Sequence, residues 1–305
     1  MGRFLARRTG ESLFTIWGVV TTVFFITRVL GDPATLFVPV GATDAQIAAL
    51  NHSFGLDLPL WRQYLHYLAH VVRGDFGRSF VFGRPAIDVV MERLPATALL
   101  AATAMALGCV LGCTSGAIAA MRKGSLGELV IMTVALLGQA TPVFWLGLML
   151  ILWFAVDLHW LPAGGYGRPA NLVLPAVTLA VFVAAAIARL TRSSILDILR
   201  EDHVRTARAK GLYPATVFFW HIARNALVPV TTMVGLLGGE LLGGSVVTET
   251  VFGWPGMGRL TVQAIESLDF PVIQAAVFVA ATLVVLISLA VDLLYQALDP
   301  RIRAQ

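Results

Sequence analysis

Six long apolar runs, at roughly 11–30, 96–121, 129–156, 171–191, 228–249 and 272–296, constrain this chain more than any other feature. The hydrocarbon core of a bilayer takes about 20 apolar residues of helix. A helix is the natural solution there because it satisfies its own backbone hydrogen bonds without water. In 305 residues that are 57% hydrophobic and 13% charged, with a mean hydropathy of +0.79, these runs predict an all-α polytopic membrane protein. The net charge of +4 would point a soluble chain toward nucleic acid. Here the basic residues sort by side of the membrane instead, and no nucleic-acid partner is expected.

With the N-terminus placed inside, the inner segments hold Arg3, Arg7, Arg8, Arg122, Lys123, Arg189, Arg192, Arg200, Arg205, Arg208, Lys210, Arg224, Arg301 and Arg303. The outer segments hold Arg62, Arg73, Arg78, Arg84, Arg93, Arg168 and Arg259, and Arg28 lies at a boundary. Fourteen against seven predicts both termini on the cytoplasmic side. Arg3, Arg7 and Arg8 before an apolar run also fit a signal peptide, but the run extends to Leu30 with no A-x-A-like site after it.

Between the first two runs lies an outer segment of about 65 residues, 31–95, long enough to expect a task for it. Thr43-Asp44 can cap a helix through Leu50, and 60–72 places Leu65, Leu68 and Val72 on one face. Gly108, Gly112 and Gly116 in the second run, and Gly235, Gly239 and Gly243 in the fifth, recur at four-residue spacing. Such stripes let helices approach closely in lipid, within this chain or against a second subunit. Cys109 and Cys113 read as inert buried thiols.

Pro142, in Gly138-Gln-Ala-Thr-Pro142, interrupts the third run. Proline deletes a backbone hydrogen bond, so Gln139, Thr141 and Pro142 make either a polar break in a solute path or a structural kink. Glu240 is taken as the carboxylate well inside a span, costly by about 2.5–3.5 kcal/mol on insertion scales. It would meet a cationic group of the cargo, pair with a partner subunit, or sit protonated in packing; Arg28 and Asp292 lie near span ends and can snorkel. Phe252-Gly-Trp-Pro-Gly256 fixes a tight turn between the last two runs. Phe252, Trp254, Pro255 and Gly256 serve there either as an outer gate or as an interfacial aromatic anchor.

The chain contains no G-x-x-x-x-G-K-[ST], no H-E-x-x-H and no G-x-S-x-G. It is expected not to be an enzyme and to bind no cofactor itself. Uphill movement of a solute would then draw on a partner or an ion gradient. A basic block, Arg205-Thr206-Ala207-Arg208-Ala209-Lys210-Gly211, stands between the fourth and fifth runs on the inner side. It favours a short helix that Gly211 can end, with Val204, Ala207 and Leu212 near one face.

That block resembles the cytoplasmic loop of ATP-binding-cassette importer permeases, in the variant with Arg-Thr where Glu-Ala is usual. Further matching stretches are Gly31-Asp-Pro33, Gly74-Asp-Phe-Gly77, Arg93-Leu-Pro-Ala-Thr97, Thr141-Pro-Val-Phe-Trp145 and Leu161-Pro-Ala-Gly164. Arg189-Leu-Thr-Arg-Ser193, Phe252 to Gly256 and Asp299-Pro-Arg301 complete the series. Together they resemble the first permease subunit of the dipeptide/oligopeptide/nickel importer family. The resemblance implies a type I importer fold with a first helix and outer segment over 1–95 and a permease core over 96–297. It also implies a coupling loop at 193–227 and a tail at 298–305.

The expected partners are a second related permease, two cytoplasmic ATPases that use ATP and Mg, an external solute-binding protein and membrane lipid. The expected site is the cytoplasmic membrane of a bacterium or archaeon. Cargo in such a family spans dipeptides, longer peptides, nickel chelates, glutathione and some oligosaccharides. The rival expectation is an ion-coupled secondary transporter working without ATPases, which would need paired ion sites on broken helices.

Overall fold

The computed structural model describes residues 2–30 and 58–298, without the side chains of 2–6, 28–30, 242–244, 292 and 294–298. The expected helix at Thr43–Leu50, Gly31-Asp-Pro33, the Arg28 and Asp292 side chains, Gly243 and the tail beyond 298 lie outside that description. The described residues are helical, with a single isolated bridge between Arg78 and Pro85 and no strand. Among the described residues, five helices are long and apolar enough to cross a membrane, or six if one sharply bent pair is counted as a span. Contacts divide the chain into two compact units, Met1–Pro95 with Gly256–Leu283, and Ala96–Pro255 with Val284–Gln305.

In the first unit, α1 (Gly2–Leu30) packs on α2 (Leu60–Val72). The Thr21 and Tyr64 hydroxyls lie 2.7 Å apart, and the Phe24 and Tyr67 rings stack at 5.3 Å. Gly74-Asp-Phe-Gly77 then turns the chain: Gly74 and Gly77 have φ of 72° and 80°, and Phe76 meets Phe278 at 5.1 Å. The Gly77 amide, 2.9 Å from Asp75 Oδ1, and after it His70, hold the Asp75 carboxyl below the usual carboxylate range. The expected apolar face of α2 needs correcting. Val71 is the buried residue, Tyr67 and Leu68 pack beside it, and Leu65 and Val72 are 56% and 87% exposed. Leu60 and Trp61 are also exposed, so the outward side of α2 carries apolar bulk among Arg62, His66 and His70, which suits a helix lying in a membrane interface.

The helix through the second apolar run, α3 (Ala86–Met121, 36 residues), begins ten residues before the expected start of that span. Its length of about 54 Å exceeds a bilayer core. The helices α9 (Met257–Glu266) and α10 (Phe270–Leu298) follow the loop that ends the fifth run. Asp269, 1% exposed, accepts hydrogen bonds from Ser79 Oγ and from the amides of Phe80 at 3.1 Å and Val81 at 3.2 Å.

In the second unit, α6 (Pro169–Ile198) is the central helix. It packs against α4 (Leu126–Ala140), α5 (Val143–Leu150) and α8 (Arg224–Val251). The first glycine stripe explains how α3 joins them. A methyl added at Gly112 would lie 2.7 Å from Ile187 Cβ, and at Gly116 2.4 Å from the Ala188 carbonyl oxygen. Gly235 on α8 is equally close to Val291 on α10. Gly108, Gly112, Gly116 and Gly235 thus serve packing within the chain.

The third apolar run is not the single kinked helix expected at 129–156. α4 and α5, which continues through a π-helical stretch at Ile151–Asp157, meet at 105°. Proline disfavours the helical region for the residue before it, and Thr141 and Pro142 are both extended, with ψ of 126° and 131°.

Candidate coupling helix, outer loop and solute path

On the side carrying the excess of basic residues, the block at 205–211 falls on α7 (Asp202–Ala209). Asp202 in the first turn and Arg208 in the last both complement the helix dipole. Gly211, at φ 73°, closes the helix. Its amide bonds the Arg208 carbonyl at 2.9 Å while the Leu212 amide bonds the Ala207 carbonyl at 3.3 Å, the paired pattern of a Schellman cap. Val204 and Ala207 are buried with Ala120, Ile195, Val217, Ile222 and Ala226. Leu212, expected on that face, is exposed, because the left-handed turn at Gly211 carries it off the helix line.

Arg205, Thr206, Arg208, Ala209, Lys210 and Gly211 are all exposed. Arg205 approaches Asp202 at 3.7 Å across the surface, a solvated pair of small energetic weight. The helix is tied to the start of the fifth span by side chains that composition does not reveal. His203 Nε2 donates to the His221 carbonyl at 3.1 Å, which also accepts from Asn225 Nδ2 at 3.1 Å. His203 Nδ1 lies 3.0 Å from Glu201. One apolar seat and one hydrogen-bonded strut thus hold a short cationic helix against the end of α6 and the π-helical turn Val217–Ala223.

At the far end of α8 the same capping chemistry recurs. Gly253, at φ 61°, bonds Thr250 at 3.2 Å, and the Trp254 amide bonds the Glu249 carbonyl at 2.8 Å. Trp254 and Phe252 are each 2% exposed, so their rings are covered by protein and do not dip into headgroups; the anchor reading is corrected. Trp254 Nε1 donates to the Ala96 carbonyl at 2.9 Å, and the Tyr166 ring meets it edge-on at 4.9 Å. The Phe252 carbonyl accepts from the Gly165 amide at 3.0 Å. A side chain at Gly164 would come within 2.1 Å of that carbonyl oxygen. Three stretches that are separate in sequence, Arg93–Thr97, Leu161–Gly164 and Phe252–Pro255, therefore converge on one loop.

Glu249 is the residue that sequence reasoning missed there. It is 0% exposed and accepts from Thr97 Oγ1 at 2.7 Å and Ser245 Oγ at 3.1 Å. Glu240 is therefore not the only carboxylate inside the fifth run, and the buried one is Glu249. The signal was an acid in Thr248-Glu-Thr250, one turn before a glycine cap.

Glu240 is exposed. It lines a cavity of about 160 Å³ with Val143, Leu179, Phe182, Leu237 and Leu241. Val143 is the first residue after the α4–α5 break, but Gln139, Thr141 and Pro142 are not among the lining residues. Thr141 Oγ1 donates back to the Leu137 carbonyl at 2.7 Å. Gln139 keeps a buried side-chain oxygen with no partner among the described residues.

Residues 1–101 match the family described as the N-terminal part of the binding-protein-dependent transport system membrane component. Residues 112–304 match the binding-protein-dependent transport system inner membrane component. The chain is 43% identical to the glutathione transport system permease protein GsiC of Escherichia coli K12, across 99% of both chains. It is 40% identical to the di/tripeptide transport system permease protein DppB of Pseudomonas aeruginosa, again across 99% of both. An inward-facing MetNI methionine ABC transporter structure superposes with a TM-score of 0.60 at 20% identity, covering 69% of this chain and 96% of that one, which supports the type I importer permease fold. The chain belongs to the binding-protein-dependent transport system inner membrane component family and is a permease subunit of an ATP-binding-cassette importer.

Proposed function

We propose that this subunit forms half of a path for di- and tripeptides, glutathione among them, across the cytoplasmic membrane of a bacterium. The full-length similarity to two permeases named for such cargo supports the substrate class. The observation that carries the mechanism is α7, an exposed cationic helix on an apolar seat, tied by His203 to the base of the fifth span. A soluble ATPase gripping Arg205, Thr206, Arg208, Ala209, Lys210 and Gly211 would move α6 and α8 as it closes on ATP and Mg. ATP and Mg stay with two ATPase subunits, and a second related permease completes the path. A loaded external binding protein biases the outward-open state by binding it more tightly.

In this reading the 252–256 loop, pinned by Trp254, Phe252 and Glu249, seals the outer mouth, with Pro255 and Gly256 setting its exit into α9. The α4–α5 break, with Gln139, Thr141 and Pro142, gives the path polar backbone at depth. Glu240 receives the peptide amino terminus. Proteoliposomes holding the subunit with its partner permease and ATPases test this. ATP-dependent uptake of labelled dipeptide or glutathione, only with binding protein present, is expected. Uptake driven by a proton or sodium gradient without the ATPases would reject it in favour of secondary transport.

A further inference from the structure

Where α4 begins and α6 ends, a cleft of about 660 Å³ opens between the two helices. Its walls are of two kinds. Leu129, Met132 and Leu136, at spacings of three and four, run down one face of α4 for about 10 Å. The polar part of the wall is Arg189 and Arg192 of α6. Arg192 is committed: its Nε and Nη2 donate to Glu128, the Nε contact at 2.7 Å, and Glu128 also accepts from the Gly124 amide. Arg189 is exposed and has no ion pair or hydrogen bond among the described residues. Arg122 and Lys123 immediately precede the cleft in the chain, so cations outnumber carboxylates around it, and the one lining carboxylate, Glu128, is already taken.

We propose that this cleft holds an anionic diacyl phospholipid of the inner leaflet, its phosphate on Arg189 and one acyl chain along Leu129, Met132 and Leu136. The excess of basic residues on this side places the charged end at headgroup level and the leucine stripe below it. Basic pockets between transmembrane helices on the cytoplasmic side suit such headgroups, and the exposed apolar stripe needs hydrocarbon on it. A soluble anion would satisfy Arg189 but leave the stripe bare. Because only the turn at Leu199–Glu201 separates α6 from α7, an occupant here would stiffen the helix that carries the coupling element.

The test uses the full chain purified with its partner subunits into nanodiscs of mixed phosphatidylglycerol and phosphatidylcholine. Native mass spectrometry is expected to show retained phosphatidylglycerol in preference to phosphatidylcholine, reduced about tenfold by Arg189→Gln and largely restored by Arg189→Lys. A photoreactive residue at Met132 is expected to form adducts with lipid. Equal retention of both lipids, or retention unchanged by Arg189→Gln, overturns the proposal. Displacement of the lipid by millimolar inorganic phosphate reassigns the cleft to a free anion, and a Met132 adduct to the second permease makes it a subunit interface. Either result also overturns it.

Discussion

Gly211 ends α7, beside the base of the fifth span, and Gly253 ends the fifth span, α8, itself, each with a left-handed turn. At Gly211 an added Cβ meets nothing within 4 Å, so any substitution effect there is conformational and not steric. An L-residue in that region costs about 1–2 kcal/mol, and a β-branched one more. Gly211→Val is expected to lower peptide uptake and binding-protein-stimulated ATP hydrolysis together, at least fivefold, with membrane insertion retained. Gly211→Asn, which tolerates the turn, is expected to keep most of both; full transport by Gly211→Val in intact vesicles would remove α7 from the coupling path. Glu240 makes a separate prediction. A charge-assisted hydrogen bond is worth about 1.5–3 kcal/mol, so Glu240→Gln should reduce uptake of peptides with a free amino terminus about tenfold and spare N-acetylated ones. Loss of the partner permease from the purified complex would point to pairing between subunits instead.

Among elements, the seam of α3 on α6 is where the sequence speaks most plainly. Small residues every fourth position have one economical use, and Gly112 and Gly116 sit in van der Waals range of Ile187 and Ala188. Gly116→Ala is expected to destabilise the purified subunit by about 1–3 kcal/mol through overpacking, read as a lower melting temperature in detergent. Gly18→Ala, with nothing within 4 Å, should be silent. The outer loop needs a gentler probe. Trp254→Ala would empty a buried site at about 3–5 kcal/mol and so report on folding. Trp254→Phe keeps the bulk, deletes the bond to Ala96 and is expected to leave abundance normal while weakening stimulation by loaded binding protein severalfold. Unchanged stimulation would reject gating.

The helices, the turn at Gly211 and the break at Pro142 were legible because glycine, proline and apolar spacing act locally. The 105° angle, the Glu249–Thr97 bond and the Ser79–Asp269 bond were not. They join residues up to 190 positions apart, and a threonine or serine in an apolar run carries no mark of its partner. Leu268 shows the same limit at closer range. It adopts φ 55° in a helix cap that glycine would have announced.

At the scale of the whole molecule, packing alone does not orient a helical bundle in a bilayer; the arrangement of charge does. From the count of fourteen inner against seven outer basic residues, α7 and the α4–α6 cleft are expected in the cytoplasm and the 252–256 loop outside. Labelling with an impermeant thiol reagent checks this in a version lacking Cys109 and Cys113, both free and half-buried on α3. Ser79 is a poor reporter despite its polar loop, because its hydroxyl is buried on Asp269. Arg73, exposed in the turn after α2, is better. Arg73→Cys is expected to react from outside intact cells. Lys123→Cys and Thr206→Cys, both at exposed positions, should stay protected until the cells are opened. The inverse pattern would put α7 on the wrong side for any ATPase, and the coupling mechanism and the inner-leaflet lipid site would fall with it.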